Sequence, residues 1–282
     1  MNEWSEGMYV IIYDFGTSTV KTCLFEIGSV IRTICHASAS YGLYIMENGG
    51  AEQDTEEWWN AIIQTTRELF TKTDVRPEEI AGLSFCTQMQ GVVLVDRNGN
   101  ALRRPMSYLD TRAAAEFKAG LGKGLLKVSG CNAFKLLRNL LVNKTESMSV
   151  KDPVYKYKWV EKHEPDIFKK VYKWLDVNDY LTACCTGNIV RTTDSAFSTF
   201  LYDTRKGKEG WNAGLVRMYG VDPSHLPELI ECTDEAGKLT DKAAAELGLP
   251  HGIPVFGGGG DATLTGIGAG CTRPGQTHIY IG

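Results

Sequence analysis

The sequence predicts an α/β fold built around a mixed β-sheet. Short apolar segments rich in β-branched residues alternate along the chain with longer segments that have the apolar periodicity of amphipathic helices. The first two apolar segments are joined by a short polar turn containing Gly16, which is typical of an antiparallel hairpin. A length of 282 residues, 43% of them hydrophobic, is enough to bury a substantial core.

The N-terminal elements are predicted to be strands over residues 9–13, 19–26 and 30–37. A helix is expected to follow, because Asp54 with Glu57 three positions later fits a capping box. The apolar face of this helix is formed by Trp58, Trp59, Ile62, Ile63, Leu69 and Phe70.

The rest of the chain alternates between strands and helices. Further strands are predicted over residues 80–86, 92–95, 254–256 and 276–281. Further helices are predicted over residues 113–121, 154–162, 177–185, 211–219, 241–247 and 262–268. The helix over 241–247 has clear end signals, since Thr240 can cap it and Gly248 can end it. Residues 130–154 are basic and polar by turns and give no clear pattern.

Charge and targeting signals argue against several classes of protein. The net charge of -4 gives no electrostatic reason to bind nucleic acid or an anionic membrane. The acidic N-terminus lacks the layout of a signal peptide, and no apolar run approaches the roughly 18 residues of a membrane span. The eight cysteines form no Cys-x-x-Cys pair, so we expect reduced, packed thiols in a cytoplasmic protein. A metal or disulfide role is the alternative.

The turn of the first hairpin is a candidate site for phosphate and metal. It reads Asp14-Phe15-Gly16-Thr17-Ser18. Gly16 permits a tight turn, and the amides and hydroxyls around Thr17 and Ser18 can face phosphate oxygens. Asp14 can hold Mg²⁺ directly or through water, because Mg²⁺ prefers oxygen ligands. A plain hairpin turn explains the same residues.

A run of four glycines, residues 257–260, lies between the predicted strand over 254–256 and a helix. Glycine lets the backbone approach a ligand closely and adopt dihedral angles closed to other residues. Asp261 then stands where the strand gives way to the helix, and it can accept a proton from an attacking hydroxyl. The alternative is a flexible connection in which Asp261 caps the helix. No Gly-Lys-Ser/Thr follows, so the run is not a Walker loop.

Two further segments carry polar groups suited to a small polar ligand. Met89 and Gln90 lie in the connection over residues 87–91, and amide side chains can bond sugar hydroxyls as donor and acceptor. A turn with solvated glutamines is the alternative. Asp110 and Arg112 bring a carboxylate and a guanidinium together, although an ordinary local ion pair explains them better.

Taken in order, these pieces resemble the FGGY family of carbohydrate kinases, and its xylulose-kinase branch most closely. The resemblance extends from about Tyr9 to Gly282. Each landmark is short, but the ordered set is highly specific. The landmarks are Asp14-x-Gly-Thr-Ser-x-x-Lys21, Glu52-Gln53-Asp54 with Trp58-Trp59, Gln88-Met89-Gln90-Gly91, Asp110-x-Arg112, Asn178-Asp179-Tyr180-Leu181 with Thr186-Gly187, Asp194-x-Ala196, Leu226-Pro227 and the Gly-Gly-Asp261 turn.

The resemblance implies a ribonuclease-H-like domain of the actin-like ATPase superfamily over residues 8–282. In the family this domain carries most sugar contacts, and a second domain holds the nucleotide. The resemblance makes Asp261 the general base of an ATP- and Mg²⁺-dependent sugar kinase, with a sugar as small-molecule partner and a homodimer possible. The other implied site residues are Met89 and Gln90 in the sugar pocket, Asp14, Gly16, Thr17 and Ser18 beside the phosphates, and Asp14 again near the metal.

Three departures from the family pattern bear on the substrate. Xylulose kinases usually have His at Gln90, Asn at Ala262 and Trp at Tyr108. The first two positions face the sugar in the family. A ketopentose such as D-xylulose is therefore the expected substrate, with gluconate, another sugar acid or a polyol such as glycerol as rivals. A non-catalytic sugar-binding module on the same fold is the alternative of another class.

The end of the sequence gives a further expectation. In the family, the strand that matches residues 277–281 runs into a Gly-Thr-Ser turn and then into the second domain. This sequence stops at Gly282, the first residue of that turn. We therefore expect a fragment of a longer kinase that has little or no activity alone.

Overall fold

The structure is a computed structural model that describes residues 7–122, 124–128, 130–145, 148–273 and 275–279. The strands are β1 (Met8–Phe15), β2 (Thr19–Ile27), β3 (Ile31–Ser40), β4 (Tyr44–Ile45), β5 (Ala51–Glu52), β6 (Ile80–Thr87), β7 (Val93–Val95), β8 (Lys127–Val128), β9 (Cys131–Asn132), β10 (Lys173–Leu175), β11 (Val190–Thr192), β12 (Tyr202–Asp203), β13 (Gly210–Trp211), β14 (Glu228–Ile230), β15 (Glu235–Lys238), β16 (Pro254–Phe256) and β17 (Gly259–Gly260). The helices are α1 (Thr55–Leu69), α2 (Ala114–Gly120), α3 (Ala133–Asn143), α4 (Pro153–His163), α5 (Pro165–Phe168), α6 (Val177–Thr186), α7 (Thr193–Phe197), α8 (Ala213–Tyr219), α9 (Asp241–Leu247) and α10 (Asp261–Gly268).

Seven strands form one mixed sheet in the order β15-β16-β6-β1-β2-β3, with β17 also paired to β6. Strands β1, β2 and β3 are antiparallel neighbours, whereas β1, β16 and β17 all run parallel to β6. The predicted α/β fold with a mixed sheet that opens on a hairpin is confirmed. Because β1, β6 and β17 are parallel, their carboxyl ends meet at one edge of the sheet, where α/β folds bind ligands.

Helices α1 and α6 pack on the sheet, and α9 packs against both of them. Alternation along β1 buries Ile11, Tyr13 and Phe15 in this core, and α1 contributes Trp58 and Ile62. A second apolar cluster, built mainly from α2 to α5, α8 and the β7–β10 pair, packs beside the first. Phe200 of this second cluster lines the cleft described below.

The start of α1 differs in one detail from the predicted capping box. Asp54 caps the helix as expected, since its carboxylate accepts a hydrogen bond from the Glu56 amide. Glu57 does not complete the box. Its carboxylate instead accepts hydrogen bonds from the Gly42 amide at 2.7 Å and from the Tyr44 hydroxyl, which fix the connection after β3.

Most predicted elements are found within a few residues of their predicted ends. Residues 130–154, for which no clear pattern was found, contain α3, whose Leu136, Leu137, Leu140 and Leu141 do follow the spacing of an amphipathic helix. The strand predicted over 276–281 is wrong for residues 276–279, which form no strand, and residues 280–282 lie outside the described part. All eight cysteines are free thiols. Within the described ranges, no helix has the length and apolar character needed to cross a membrane.

Candidate active site

The two predicted carboxylates, Asp14 and Asp261, lie at the ends of β1 and β17, which pair with opposite sides of β6. Asp14 on β1 pairs in register with Cys86 on β6, and Cys86 pairs on its other side with Gly259 on β17. Asp261 follows β17 directly. Because adjacent strands lie about 4.8 Å apart, Asp14 and Gly259 are separated by two strand spacings, or about 10 Å. Residues from opposite ends of the chain thus meet at one edge of the sheet.

The edge opens into a cleft of about 1280 Å³ that is lined by the first hairpin turn, the connection after β6, the start of α10 and parts of the segments around residues 145–152 and 197–200. Of the predicted site residues, Asp14, Gly16, Thr17, Met89, Gln90 and Asp261 line this cleft. Ser18 is exposed next to the turn and does not line it. The other lining residues are Cys86, Gln88, Tyr108, Thr145, Asp152, Phe197, Ser198, Phe200, Ala262, Thr263, Leu264 and Thr265.

The loop formed by residues 257–260 before Asp261 requires glycine at one position. Gly258 has a φ of +68°, and a Cβ atom there would lie 2.3 Å from the carbonyl oxygen of Phe85 on β6. The carbonyl of Gly257 accepts a hydrogen bond from the Asn178 amide at 2.7 Å. A side chain at this point would push the loop away from β6, so glycine is required where the loop crosses the sheet edge.

Asp194 holds the start of α10, a role that the sequence did not reveal. One carboxylate oxygen accepts from the Gly260 amide at 2.7 Å and the other from the Thr263 hydroxyl at 2.8 Å. Asp261 itself follows the capping position, which Gly260 occupies without any side-chain cap. The interpretation of Asp261 as a helix cap is therefore wrong, and its carboxylate is left facing the cleft with one bond from the Ala262 amide.

The carboxylates are close enough to influence one another's pKa. Partial desolvation raises the pKa of Asp261, the Ala262 amide opposes this, and the charges of Asp14 and Asp194 add to the rise. The same three carboxylates act on Cys86 between them, where desolvation and then Asp14, Asp261 and Asp194 raise the pKa to about 12. Cys86 therefore stays a protonated, weakly nucleophilic thiol on the cleft floor.

The first hairpin turn is held from outside by several side chains. The Gln53 amide donates to the Thr17 carbonyl at 2.6 Å, and the Tyr108 hydroxyl bonds the Thr17 hydroxyl at 3.1 Å. The Tyr41 hydroxyl donates to the Gly16 carbonyl. The turn itself does not require glycine, since φ at Gly16 is not positive and a Cβ there would lie 3.4 Å from the Thr19 carbonyl oxygen.

The connection after β6 carries Met89 and Gln90 into the cleft. Met89 packs on the glycine run so closely that a Cβ at Gly260 would lie 2.2 Å from its sulfur atom. Gln90 adopts a positive φ of 63°, and its backbone amide donates to the Asp176 carboxylate at 2.9 Å. Its carbonyl accepts from the buried Lys156 ammonium at 2.6 Å. Buried ionisable groups therefore hold the backbone of this connection on both sides.

Asp110 and Arg112 do not belong to the cleft lining. The Arg112 guanidinium pairs with the Asp110 carboxylate at 2.7 Å and with Glu52 at 2.6 Å, and it lies over the Trp159 ring. The interpretation as a local ion pair fits this buried network better than ligand recognition does.

Comparison with known proteins places these features in a family. Residues 9–268 match the model for the FGGY family of carbohydrate kinases, N-terminal domain. The chain is 31% identical over 275 residues to a xylulose kinase of Bacillus subtilis, covering 97% of this chain and 52% of that protein. It is 29% identical over 276 residues to a xylulose kinase of Staphylococcus xylosus. The chain spans about half the length of the curated relatives it matches.

Solved structures show the same fold. A xylulose kinase from Rhodospirillum rubrum superimposes with a TM-score of 0.80 at 28% identity, over 95% of this chain and 52% of that one. A gluconate kinase from Lactobacillus acidophilus gives a TM-score of 0.80 at 21% identity, over 93% of this chain and 50% of that one, which is a likeness of fold alone.

Proposed function

The chain belongs to the FGGY family of carbohydrate kinases, and on that premise we propose that it forms the sugar-binding part of an ATP-dependent sugar kinase. The reaction is transfer of the γ-phosphoryl group to a hydroxyl of a ketopentose such as D-xylulose. The observation that supports it most is the meeting of Asp14 and Asp261 at one cleft edge, across Cys86. A ketopentose is proposed as the acceptor because the similar proteins from Bacillus subtilis and Staphylococcus xylosus are named xylulose kinases.

Asp261 is the proposed general base. A sugar hydroxyl is a poor nucleophile, so the reaction depends on positioning and on removal of its proton during attack. The raised pKa of Asp261 makes its carboxylate a stronger proton acceptor than an ordinary aspartate. Asp194 fixes the backbone beneath it, while Met89 and Gln90 orient the sugar from the facing loop.

The hairpin turn fits the phosphate and metal end of the site. Asp14 is exposed at the cleft edge, and Thr17 lines the cleft beside it. In the described part of the chain, no three His, Cys, Asp or Glu side chains are grouped to hold a metal ion alone. Mg²⁺ bound with a nucleotide needs only one or two carboxylates, because phosphate and water oxygens complete its shell. Asp14 therefore suits it, and MgATP would supply the phosphoryl group and charge neutralisation there.

Gluconate, another sugar acid or a polyol such as glycerol is the second candidate class. It is favoured by Gln90 and Ala262, which replace the His and Asn usual in xylulose kinases. The small Ala262 side chain leaves space in the cleft for a longer acceptor such as gluconate, and the side-chain amide of Gln90 offers both a donor and an acceptor to any of these ligands. A non-catalytic sugar-binding module is less well supported, because binding alone does not require a base at Asp261.

Isothermal titration of this chain with D-xylulose, gluconate and glycerol tests which acceptor it binds. A coupled ADP-release assay on the full-length protein tests phosphoryl transfer. We expect Asp261→Ala to abolish ADP release and to keep most sugar affinity. Unchanged turnover in this variant would refute the role of Asp261 as base. Sugar binding without ADP release in the unsubstituted protein would favour the binding module.

We also propose that the protein acts in the cytoplasm on small molecules, as a kinase that binds neither nucleic acid nor membrane. Eight free cysteines and the acidic net charge of -4 support this. A homodimer stays a prediction, which light scattering during size-exclusion chromatography measures directly.

A further inference from the structure

The loop that carries Gln90 is held in a conformation that its own residues do not favour. Gln90 has a φ of 63°, a region that a side chain other than glycine enters at a cost. Such a conformation persists only where neighbouring groups enforce it. In this loop both polar groups of the Gln90 backbone are bonded to buried, ionisable side chains.

Asp176 holds the amide side of the loop. Its carboxylate accepts from the Gln90 amide at 2.9 Å and from the Gly91 amide at 2.8 Å, while it also begins α6. The fit is close, since a Cβ at Gly91 would lie 2.8 Å from the Val177 side chain. Asp176 is fully buried, and burial raises its pKa to about 6.

Lys156 holds the carbonyl side. Its ammonium has no exposed surface and donates to the carbonyl of Gln90 at 2.6 Å and to that of Ser107 at 2.9 Å. Ser107 precedes Tyr108, whose hydroxyl bonds Thr17 in the hairpin turn. Lys156 therefore joins the sugar-facing loop to the segment that supports the phosphate-facing turn.

Burial of an ammonium group costs desolvation free energy, and an apolar side chain of similar volume often packs as well without that cost. The two bonds of the Lys156 ammonium end on loop carbonyls that line or support the cleft. We infer that Lys156 and Asp176 are positioning residues that fix the Gln90 backbone and thereby the direction from which its side-chain amide reaches the cleft, and that this direction determines which arrangement of sugar hydroxyls is accepted. This inference rests on the proposed sugar-kinase function.

The first test needs no activity. Hydrogen exchange measured by mass spectrometry on a peptide containing Gln90 and Gly91 reports how firmly the loop is held. We expect Lys156→Met to accelerate exchange there about tenfold or more. The matched control is Lys158→Met, since Lys158 lies on the same helix and donates to a backbone carbonyl, that of Gly220, away from the cleft. The control should leave the loop unchanged.

Asp176→Asn provides a second variant in case Lys156→Met does not fold, because asparagine keeps the volume and one oxygen acceptor. It should also accelerate exchange at Gln90 and Gly91. If either folded variant retains the exchange rate of the unsubstituted loop, the role of Lys156 and Asp176 as positioning residues is refuted. This outcome does not depend on whether the protein phosphorylates a sugar.

The second test addresses specificity. Titration of each variant measures the dissociation constants for D-ribulose and D-xylulose. These two ketopentoses differ only in the configuration of one hydroxyl group, so the ratio of the two constants reports specificity. We expect the preference for one of the two sugars to fall by about tenfold in Lys156→Met, so that the ratio moves towards one, and to stay unchanged in Lys158→Met. A purely structural role would lower thermal stability and leave the ratio unchanged, and that result would refute the inference. Failure of the unsubstituted protein to bind any sugar would instead refute the proposed function.

Discussion

Gly258 gives a quantitative test of how the base is placed, through the variant Gly258→Ala. An alanine at its φ of +68° costs about 1–2 kcal/mol for the left-handed backbone. The new methyl carbon would also lie 2.3 Å from the Phe85 carbonyl oxygen, more than 1 Å inside an ordinary contact. Overpacking of this kind costs about 1–3 kcal/mol. The expected loss in the free energy of unfolding is therefore about 2–5 kcal/mol.

The matched control is Gly252→Ala. Gly252 has a φ of +81°, but nothing lies within 4 Å of the position its Cβ would take. Only the backbone cost of about 1–2 kcal/mol applies to this variant. The difference between the two variants thus isolates the contact between the glycine loop and β6.

Urea denaturation followed by circular dichroism measures both variants. We expect Gly258→Ala to be the less stable of the two by about 1–3 kcal/mol, and to lose sugar affinity because the loop before Asp261 must move. Equal destabilisation of the two variants, with sugar binding intact in both, would refute the close approach of this loop to β6.

Three other predictions concern the cleft and its support. Asp261→Asn should lower kcat for phosphoryl transfer by about 10²–10⁴-fold with a smaller change in sugar affinity, measured by ADP release; a fall of less than tenfold would contradict the base assignment. Burial lowers the pKa of Lys156 to about 8, below its unfolded value, so the unfolded state binds more protons between pH 8 and about 10.5. The stability of the unsubstituted protein relative to Lys156→Met should therefore rise over that window by at most about 3 kcal/mol, and a constant difference in urea titrations would contradict it. Cys86 should react with iodoacetamide at pH 8 far more slowly than free cysteine, because its pKa is about 12, and rapid labelling seen by mass spectrometry would contradict this.

Much of the fold could be predicted from local signals. Periodicity and end signals located α9 and β16 at their observed bounds, because Thr240 caps the helix, Gly248 ends it and Pro254 begins the strand. Helix α3 was missed although Leu136, Leu137, Leu140 and Leu141 have the spacing of an amphipathic helix, because the basic and polar residues between and around them make the segment look polar by turns. A second signal was Asn132, whose side chain caps the first turn.

The candidate site was only half visible in the sequence. Asp14 and Asp261 follow strands and sit beside glycines, which is a local pattern. Lys156 and Asp176 act on Gln90 from positions 66 and 86 residues away in sequence, and no local pattern records such contacts. The segment around Asp176 did carry one signal, a carboxylate between a strand and a helix.

The central claim is that Asp14 and Asp261 share one cleft, and the pKa of the Asp261 carboxyl group tests it directly. Carbon-13 NMR of labelled aspartate side chains measures this pKa in the unsubstituted protein, in Asp14→Asn and in the control Asp96→Asn, which alters an exposed turn. The Asp14 charge raises the pKa of Asp261, so Asp14→Asn should lower that pKa while Asp96→Asn leaves it in place. A pKa for Asp261 that is the same in all three proteins would show that the two carboxylates do not meet.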